Sequence, residues 1–365
     1  MTDSGAALHL HGTVLPAGDV RDVYVVQGRF TFIEPDDAVT LVDGSYLLPG
    51  LVDAHAHLSL HSPAGDTASP RERVRASARA QLGAGVLAIR EPGSPDYESA
   101  ELGPPEELPR TVTGGRFLAA TGRYFPGLAR EVDADQLAKA AAEEVEISGA
   151  WAKVIADFFG PDGRIEPTFP ATALAEAAHL VHEAGGRITA HATCPAAIEA
   201  VVEAGFDAVE HGSMMRPDQV SGLAERGVTL VPTLLIKESI LGLTRSMAGN
   251  PDAVAEVGRA LDAQPAVVRQ AVEHGIRVLA GTDAGMVPHG RVVEEIRRLR
   301  AAGLDDGTAL GAASWTARAW LGLPGIEEGA PADVVAYPDD PRHDPAVLHH
   351  PSVVLLDGRL VHPRP

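Results

Sequence analysis

Residues 47–60, LLPGLVDAHAHLSL, bring an apolar run up to two histidines, His55 and His57. A β-strand points side chains two apart to the same face. Both imidazoles therefore face one way, close enough to bind one cation. Pro49 and Gly50 mark where the segment begins. Alone, the pair reads equally well as two polar residues on an exposed strand, and the rest of the chain has to decide.

A chain of 365 residues can bury a large core. Length alone suggests two or three domains, although α/β barrels reach this size as one. Hydrophobic residues at 45% and charged residues at 22% are ordinary for a globular protein. The net charge of −20, with no cluster of Lys or Arg, argues against nucleic acid and anionic membrane as partners. Cys194 is the only cysteine, which rules out an intrachain disulfide and fits a reducing compartment. The N-terminal MTDSGAALHL has no basic stretch followed by an apolar one, so it does not read as a signal peptide. No apolar run approaches the roughly 18 residues of a membrane span. The expectation is a cytoplasmic protein of enzyme size acting on a small molecule.

Residues 7–48 read as short strands: HLHGTVL, RDVYVVQGRFTFIEP with a hairpin at VVQGRF, and VTLVDGSYLL. The other end has the same character, with ADVVAYP and then PSVVLLDGRLVHP, where Asp357-Gly358 is a hairpin turn. Neither end holds enough apolar area for a stable unit. Packed together, residues 1–49 and 326–365 predict one small composite β-domain, a β-sandwich. Residues 50–325 then form one unit in which strands and helices alternate. Eight strands are expected, at LVDAHAH, VLAIRE, RFLAA, AWAKVIA, RITAHA, FDAVEHG, VTLVPTL and IRVLAGTD. Each is short and mostly apolar, as parallel strands buried on both faces must be. Ser69-Pro70 opens one helix and Pro195 another, and a helical excursion fills 236–275. The pattern predicts a closed (β/α)8 TIM barrel.

Such barrels place their active site at the C-terminal ends of the strands. Those ends carry His55 and His57 on the first strand, Lys153 on the fourth, His191 on the fifth, His211 on the sixth and Asp283 on the eighth. Singly, His191 reads as well as a core histidine, and Asp283 as a turn or N-cap residue. Lys153 has no bland explanation, because a buried ammonium is costly unless neutralised or paired. Together the six residues predict a metal centre.

At these residues the chain resembles the amidohydrolase superfamily. The motifs are PGLVDAHAHL, GAWAKVIADF, AHA around His191, VEHGS around His211 and GTDAG around Asp283. The neighbouring TGRYFPG, VPTL and EEGAPADVVAY are most similar to the branch of imidazolonepropionase-like proteins and prolidase-like dipeptidases. The resemblance implies two divalent metal ions. His55 and His57 would hold one with help from Asp283, His191 and His211 the other, and Lys153, carboxylated to a carbamate, would bridge them. Imidazole and carboxylate suit zinc, with manganese, iron or cobalt as alternatives. It also implies a hydroxide between the metals that attacks a carbonyl, with Asp283 as the catalytic residue that takes the proton and passes it to a departing nitrogen.

Two departures concern substrate. Relatives often carry Arg-Asp at the end of the second strand, where this chain has Arg90-Glu91-Pro92-Gly93, and Arg and Tyr stand in TGRYFPG where many have Gly and His. Both stretches are expected in loops facing the substrate. Candidate contacts are His61, Arg90, Arg123, Tyr124, Lys237 and His289, with Arg123 and Tyr124 gripping a carboxylate. A solvent-exposed loop position is the competing reading for each. Cys194 is expected to begin the next helix, and His182, His274, His349 and His350 to lie away from the site. The expected activity is hydrolysis of an amide-type C–N bond in a dipeptide or N-acyl amino acid. The alternatives are a cyclic amide opened in imidazolonepropionase fashion, a lactone, ester or carbamate, and a non-catalytic scaffold. Family habit adds a homo-oligomer, a dimer by preference.

Overall fold

The computed structural model describes residues 6–102 and 108–361. Residues 1–5 and 362–365, the outer ends of the expected β-domain, lie outside the described residues. The chain opens with β1 (Ala7–Val14), β2 (Asp19–Val26), β3 (Arg29–Thr31) and β4 (Ala38–Pro49), followed by β5 (Leu51–Asp53), which leads into the histidine pair. Next come α1 (Pro70–Gly83), β6 (Val86–Glu91), β7 (Arg110–Thr113), β8 (Phe117–Ala120) and β9 (Arg130–Val132). The middle holds α2 (Leu137–Ser148), β10 (Trp151–Ile155), a hairpin of β11 (Asp157–Phe159) and β12 (Ile165–Pro167), α3 (Ala171–Glu183) and β13 (Arg187–Ala192). Then follow α4 (Pro195–Glu203), β14 (Ala208–His211), α5 (Val220–Glu225), β15 (Thr229–Val231), α6 (Lys237–Met247) and α7 (Pro251–Glu273). The last helices are α8 (Val292–Ala301), α9 (Asp306–Gly311) and α10 (Trp315–Trp320), and β16 (Val334–Tyr337), β17 (Val353–Leu356) and β18 (Arg359–Leu360) close the chain.

Both ends of the chain enter one sheet, in the order β18-β17-β16-β4-β1-β2-β3. The join is β4 against β16, antiparallel from Pro49–Val334 to Tyr46–Tyr337. Where a two-sheet sandwich was expected, the described strands form a single seven-stranded sheet. Two of its hairpins turn where the sequence predicts. Gln27-Gly28 and Asp357-Gly358 both have positive φ at both residues, the backbone that a two-residue turn with right-handed twist requires.

The parallel strands form two sheets, β5-β6-β7 and β15-β14-β13-β10-β8-β9. The stretch read as RFLAA is β8, and an unexpected strand, β7, precedes it. β7 and β8 are consecutive pieces separated at Gly114-Gly115, and a bridge from Ser94 to Arg116 carries pairing from the first sheet to the second. The eighth expected strand is not a ladder. Residues 276–283 are tied by single links: Leu230 bridges Val278, the Ala54 amide donates to Ala280 O at 2.9 Å, and the Asp283 amide to His55 O at 2.8 Å. Gly281 accounts for the close approach, since a Cβ there would lie 2.5 Å from His55 Cβ. The main core runs between these strands and their helices, from Leu51, Val86 and Ile89 to Leu299 and Leu310.

The helix signals hold. Ser69 caps α1 with Glu72 in a reciprocal capping box, and Pro70 takes the first turn. Cys194 is the N-cap residue of α4, buried and unoxidised. The excursion after β15 is α6 followed by α7, with Asn250 capping α7. Among the described residues, no helix is long and apolar enough to cross a membrane.

Candidate metal centre

The six residues read from the strand ends meet in one place: His55, His57, Lys153, His191, His211 and Asp283 all line a single cavity of about 130 Å³. Three of them converge most tightly. One ligand atom from each of His55, His57 and Asp283 lies within 4.8 Å of the others, so this trio could hold a metal ion. His55 Nε2 is 3.1 Å from His57 Nε2, and Asp283 Oδ1 is 3.4 and 3.3 Å from the same two nitrogens. The rest stand around it. The His211 ring centre is 5.0 Å from that of His55 and 4.7 Å from that of His191.

Backbone strain points two of these groups inward. His211 has φ 68° and Asp283 φ 51°, left-handed values that are uncommon for residues with a Cβ. At His211 the left-handed turn ends the alternation of β14, so Glu210 and His211 both face the interior. Thr233 shares the strain, at φ 47°, and its hydroxyl meets His211 Nδ1 at 2.8 Å.

Each imidazole is fixed through its other nitrogen. His55 Nδ1 is 2.6 Å from Glu210 Oε2, and His57 Nδ1 is 2.8 Å from the Gly93 carbonyl. Nε2 of both is thereby turned to the trio, the arrangement in which metal-binding histidines usually occur. His191 Nε2 lies 3.4 Å from Asp157, whose carboxylate accepts from the amides of Thr193 and Cys194. Burial lowers the pKa of His55 to about 4 and of His191 to about 3, and holds His211 well below the usual range. Neutral imidazole is the form that ligates a cation.

Lys153 is 1% exposed. Burial pulls its amine down to about 8, with Glu210 opposing and Arg90 assisting. Asp283 is held well below the ordinary carboxylate range. Burial works against its ionisation, and the surrounding imidazoles override it.

Beneath the histidines lies a polar chain that the sequence reading missed. Arg90 donates to Glu210 at 2.8 Å and to the Ala54 carbonyl at 3.2 Å. Its guanidinium sits 4.3 Å from the Trp151 ring centre and 5.1 Å from that of Trp320. Burial pushes the Glu210 carboxyl up, but Arg90, His55 and Lys153 outweigh it and hold the group well below its ordinary pKa. Asp53 joins the first and last segments of the site, accepting from the Thr282 hydroxyl at 2.6 Å, the Thr282 amide at 3.0 Å and Gln81 at 2.8 Å. A charge inside an apolar strand was the signal available for Glu210, as it was for Lys153.

The substrate candidates divide. Tyr124 lines the cavity. Arg90 is fully buried beneath the histidines and is not part of the cavity wall, because its side chain runs inward from β6 to Glu210. Glu91, expected in the same loop, lies in β6 and accepts the Leu58 amide at 2.6 Å. Arg123 turns away from the cavity to Glu166, 2.9 Å off. Lys237 pairs with Asp262 at 2.6 Å. His289 stands behind the wall, with Nε2 3.0 Å from the Leu60 carbonyl, and His61 is exposed outside it.

Residues 46–361 match the amidohydrolase family. An uncharacterized protein of Mycobacterium tuberculosis is 36% identical over 359 residues, covering 98% of this chain and 96% of its own. A counterpart in Mycobacterium bovis, also named as uncharacterized, matches equally. Among solved structures, a Xaa-Pro dipeptidase with bound methionine superposes with a TM-score of 0.83 at 20% identity, over 98% of this chain and 100% of the other. A structure described as a putative prolidase from Bifidobacterium longum gives 0.81 at 26%, over 99% and 95%.

Proposed function

This chain belongs to the amidohydrolase family, and from that premise we propose a metal-dependent hydrolase that cleaves an amide-type C–N bond. The observation that carries the reading is the convergence of His55, His57 and Asp283 within 4.8 Å on the wall of a cavity. The donor set fits divalent cations. His55 and His57 offer imidazoles fixed from behind, and Asp283 offers a carboxylate, a set that suits zinc and admits manganese, iron or cobalt. His191, His211 and Lys153 would complete a second position. At about pH 8 much of the buried Lys153 amine is neutral, the form that takes up carbon dioxide to become an anionic carbamate.

Divalent cations held there would polarise a substrate carbonyl and lower the pKa of a water. Asp283 then has two tasks for this chain's own groups: to take the proton from the attacking water and to hand it to the departing nitrogen. His55 and His57 stay oriented throughout, because Glu210 and the Gly93 carbonyl hold their outer nitrogens. The wider frame of the proposal is a (β/α)8 barrel over 50–325 with a terminal domain of 1–49 and 326–365. It is supported by the parallel ladders, by the single links through Val278 and Ala280, and by the sheet that joins both ends. A cytoplasmic setting belongs to the same reading and is supported by the lone, free cysteine.

The test is amine release from a panel of amides by protein loaded with zinc or manganese in bicarbonate. Asp283→Asn is expected to lower kcat by about 10²–10⁴-fold, the usual worth of a general acid–base. Activity within tenfold of wild type would remove Asp283 from the reaction. Cleavage of aryl esters or lactones with no amine release would move the reaction to the ester class.

A further inference from the structure

Away from the ligand residues, the cavity wall is apolar. Phe117, Tyr124, Phe125 and Phe158 form an aromatic cluster, with neighbouring ring centres 5.0–6.1 Å apart. Ile240 and Leu243 of α6 face the same space. Among the described residues lining the cavity, Lys153 is the only Lys or Arg. Of the basic residues that flank the lining in sequence, three are committed elsewhere. Arg123, beside Tyr124, binds Glu166. Arg164, beside Ile165, binds Glu256. Lys237, beside Ile236, binds Asp262. Arg245, beside Thr244, is exposed.

The wall also holds a buried hydroxyl left unanswered. Ser213, 2% exposed, lines the cavity, and its Oγ has no hydrogen-bond partner among the described residues. A buried hydroxyl without a partner is costly, and a ligand that meets it recovers that cost.

We infer that this site selects an uncharged acyl compound, with an apolar or aromatic group seated among the Phe and Tyr rings, a hydrogen bond to Ser213 Oγ, and no free carboxylate beside the scissile bond. The inference rests on the hydrolase reading and narrows it, excluding the dipeptides and N-acyl amino acids that Arg123 would have gripped. A carboxylate seated among the aromatic rings, away from the ligand residues, would lose its water and meet no Lys or Arg among the described lining residues there.

The test separates binding from reaction. Two ketomethylene analogues of N-benzoyl-phenylalanine, with the scissile nitrogen replaced by CH2, differ only in ending as a carboxylate or as a primary amide. Their binding to zinc-loaded wild-type protein is measured by calorimetry. The neutral analogue is expected to bind at least about tenfold more tightly, the ratio that a modest desolvation cost of ~1.4 kcal/mol produces. Ser213→Ala should weaken the neutral analogue by about fivefold, the net worth of one hydrogen bond. Ile240→Arg, which puts a cation on the wall, should reverse the preference, and Arg123→Gln should leave it unchanged. Equal or tighter binding of the acid by wild type would overturn the inference, as would failure of the neutral analogue to bind at its solubility limit. If the preference holds but no amide is cleaved, the reaction assignment falls and the charge selection stands.

Discussion

The two sides of the cavity are built on opposite principles. The floor is crowded with ionisable groups on strand ends, every one buried or nearly so: His55, His57, Lys153, Glu210, His211 and Asp283. The roof is aromatic and aliphatic and stands on connections: the loop with Tyr124 and Phe125, the β11–β12 hairpin with Phe158, and α6 with Ile240. On the floor His55, His57, Glu210 and Asp283 answer one another, so changing one disturbs its neighbours. The roof makes few directional contacts, so its residues can be exchanged with less effect on the floor. On the proposed reading the chemistry therefore sits on strand ends, and selection sits on the connections between them.

That contrast can be broken at three points. The largest effect is expected at Arg90→Met, which leaves Glu210 buried without its cation. Removing one partner of a buried pair costs about 3–5 kcal/mol, and denaturant unfolding of the metal-free protein reads it. A loss below 1 kcal/mol would mean that the floor is not a coupled network. Next comes Glu210→Gln, which keeps the shape but removes the anion behind His55. Metal affinity should fall about 10–100-fold, as for other groups that hold a ligand histidine. Titration against a competing chelator measures it, and unchanged affinity would detach Glu210 from the centre.

The smallest effect lies on the seam between floor and roof. Burial lowers the pKa of His289 from 6.5 to about 4. Between those values the unfolded chain takes a proton that the folded chain refuses, so stability falls as pH drops from about 6.5 to about 4. His289→Gln should make the metal-free protein less sensitive to acid in that window. An identical pH profile would show that His289 is not held neutral.

The floor was legible in the sequence because parity in a strand is rigid. His55 and His57 must share a face, and Lys153 in an apolar strand must have a reason. Glu210 escaped notice because its neighbour His211 already explained the motif, and the alternation rule hid the fact that two adjacent residues could both point inward. Only the left-handed backbone at His211 makes that possible. Arg90 was placed at the right strand end but facing the wrong way, because a long side chain can run down into the interior as readily as out to solvent. The roof was largely illegible. The β11–β12 hairpin has strands of three residues each, too short to show a period. The partners that neutralise Arg123 and Lys237 come from distant sequence. The terminal strands were read correctly and their joining foreseen, but nothing in the alternation of single strands says whether they make one sheet or two.

The hydrogen bonds from Thr282 to Asp53 join residues 229 apart in sequence. They also set a timetable. A ribosome that has made the first 280 residues has released both histidines of the trio but not the aspartate that completes it. On the proposed reading Asp283 is the last ligand to emerge and acts as a clasp: a cation shared by all three groups can be held only once residue 283 has joined the histidines.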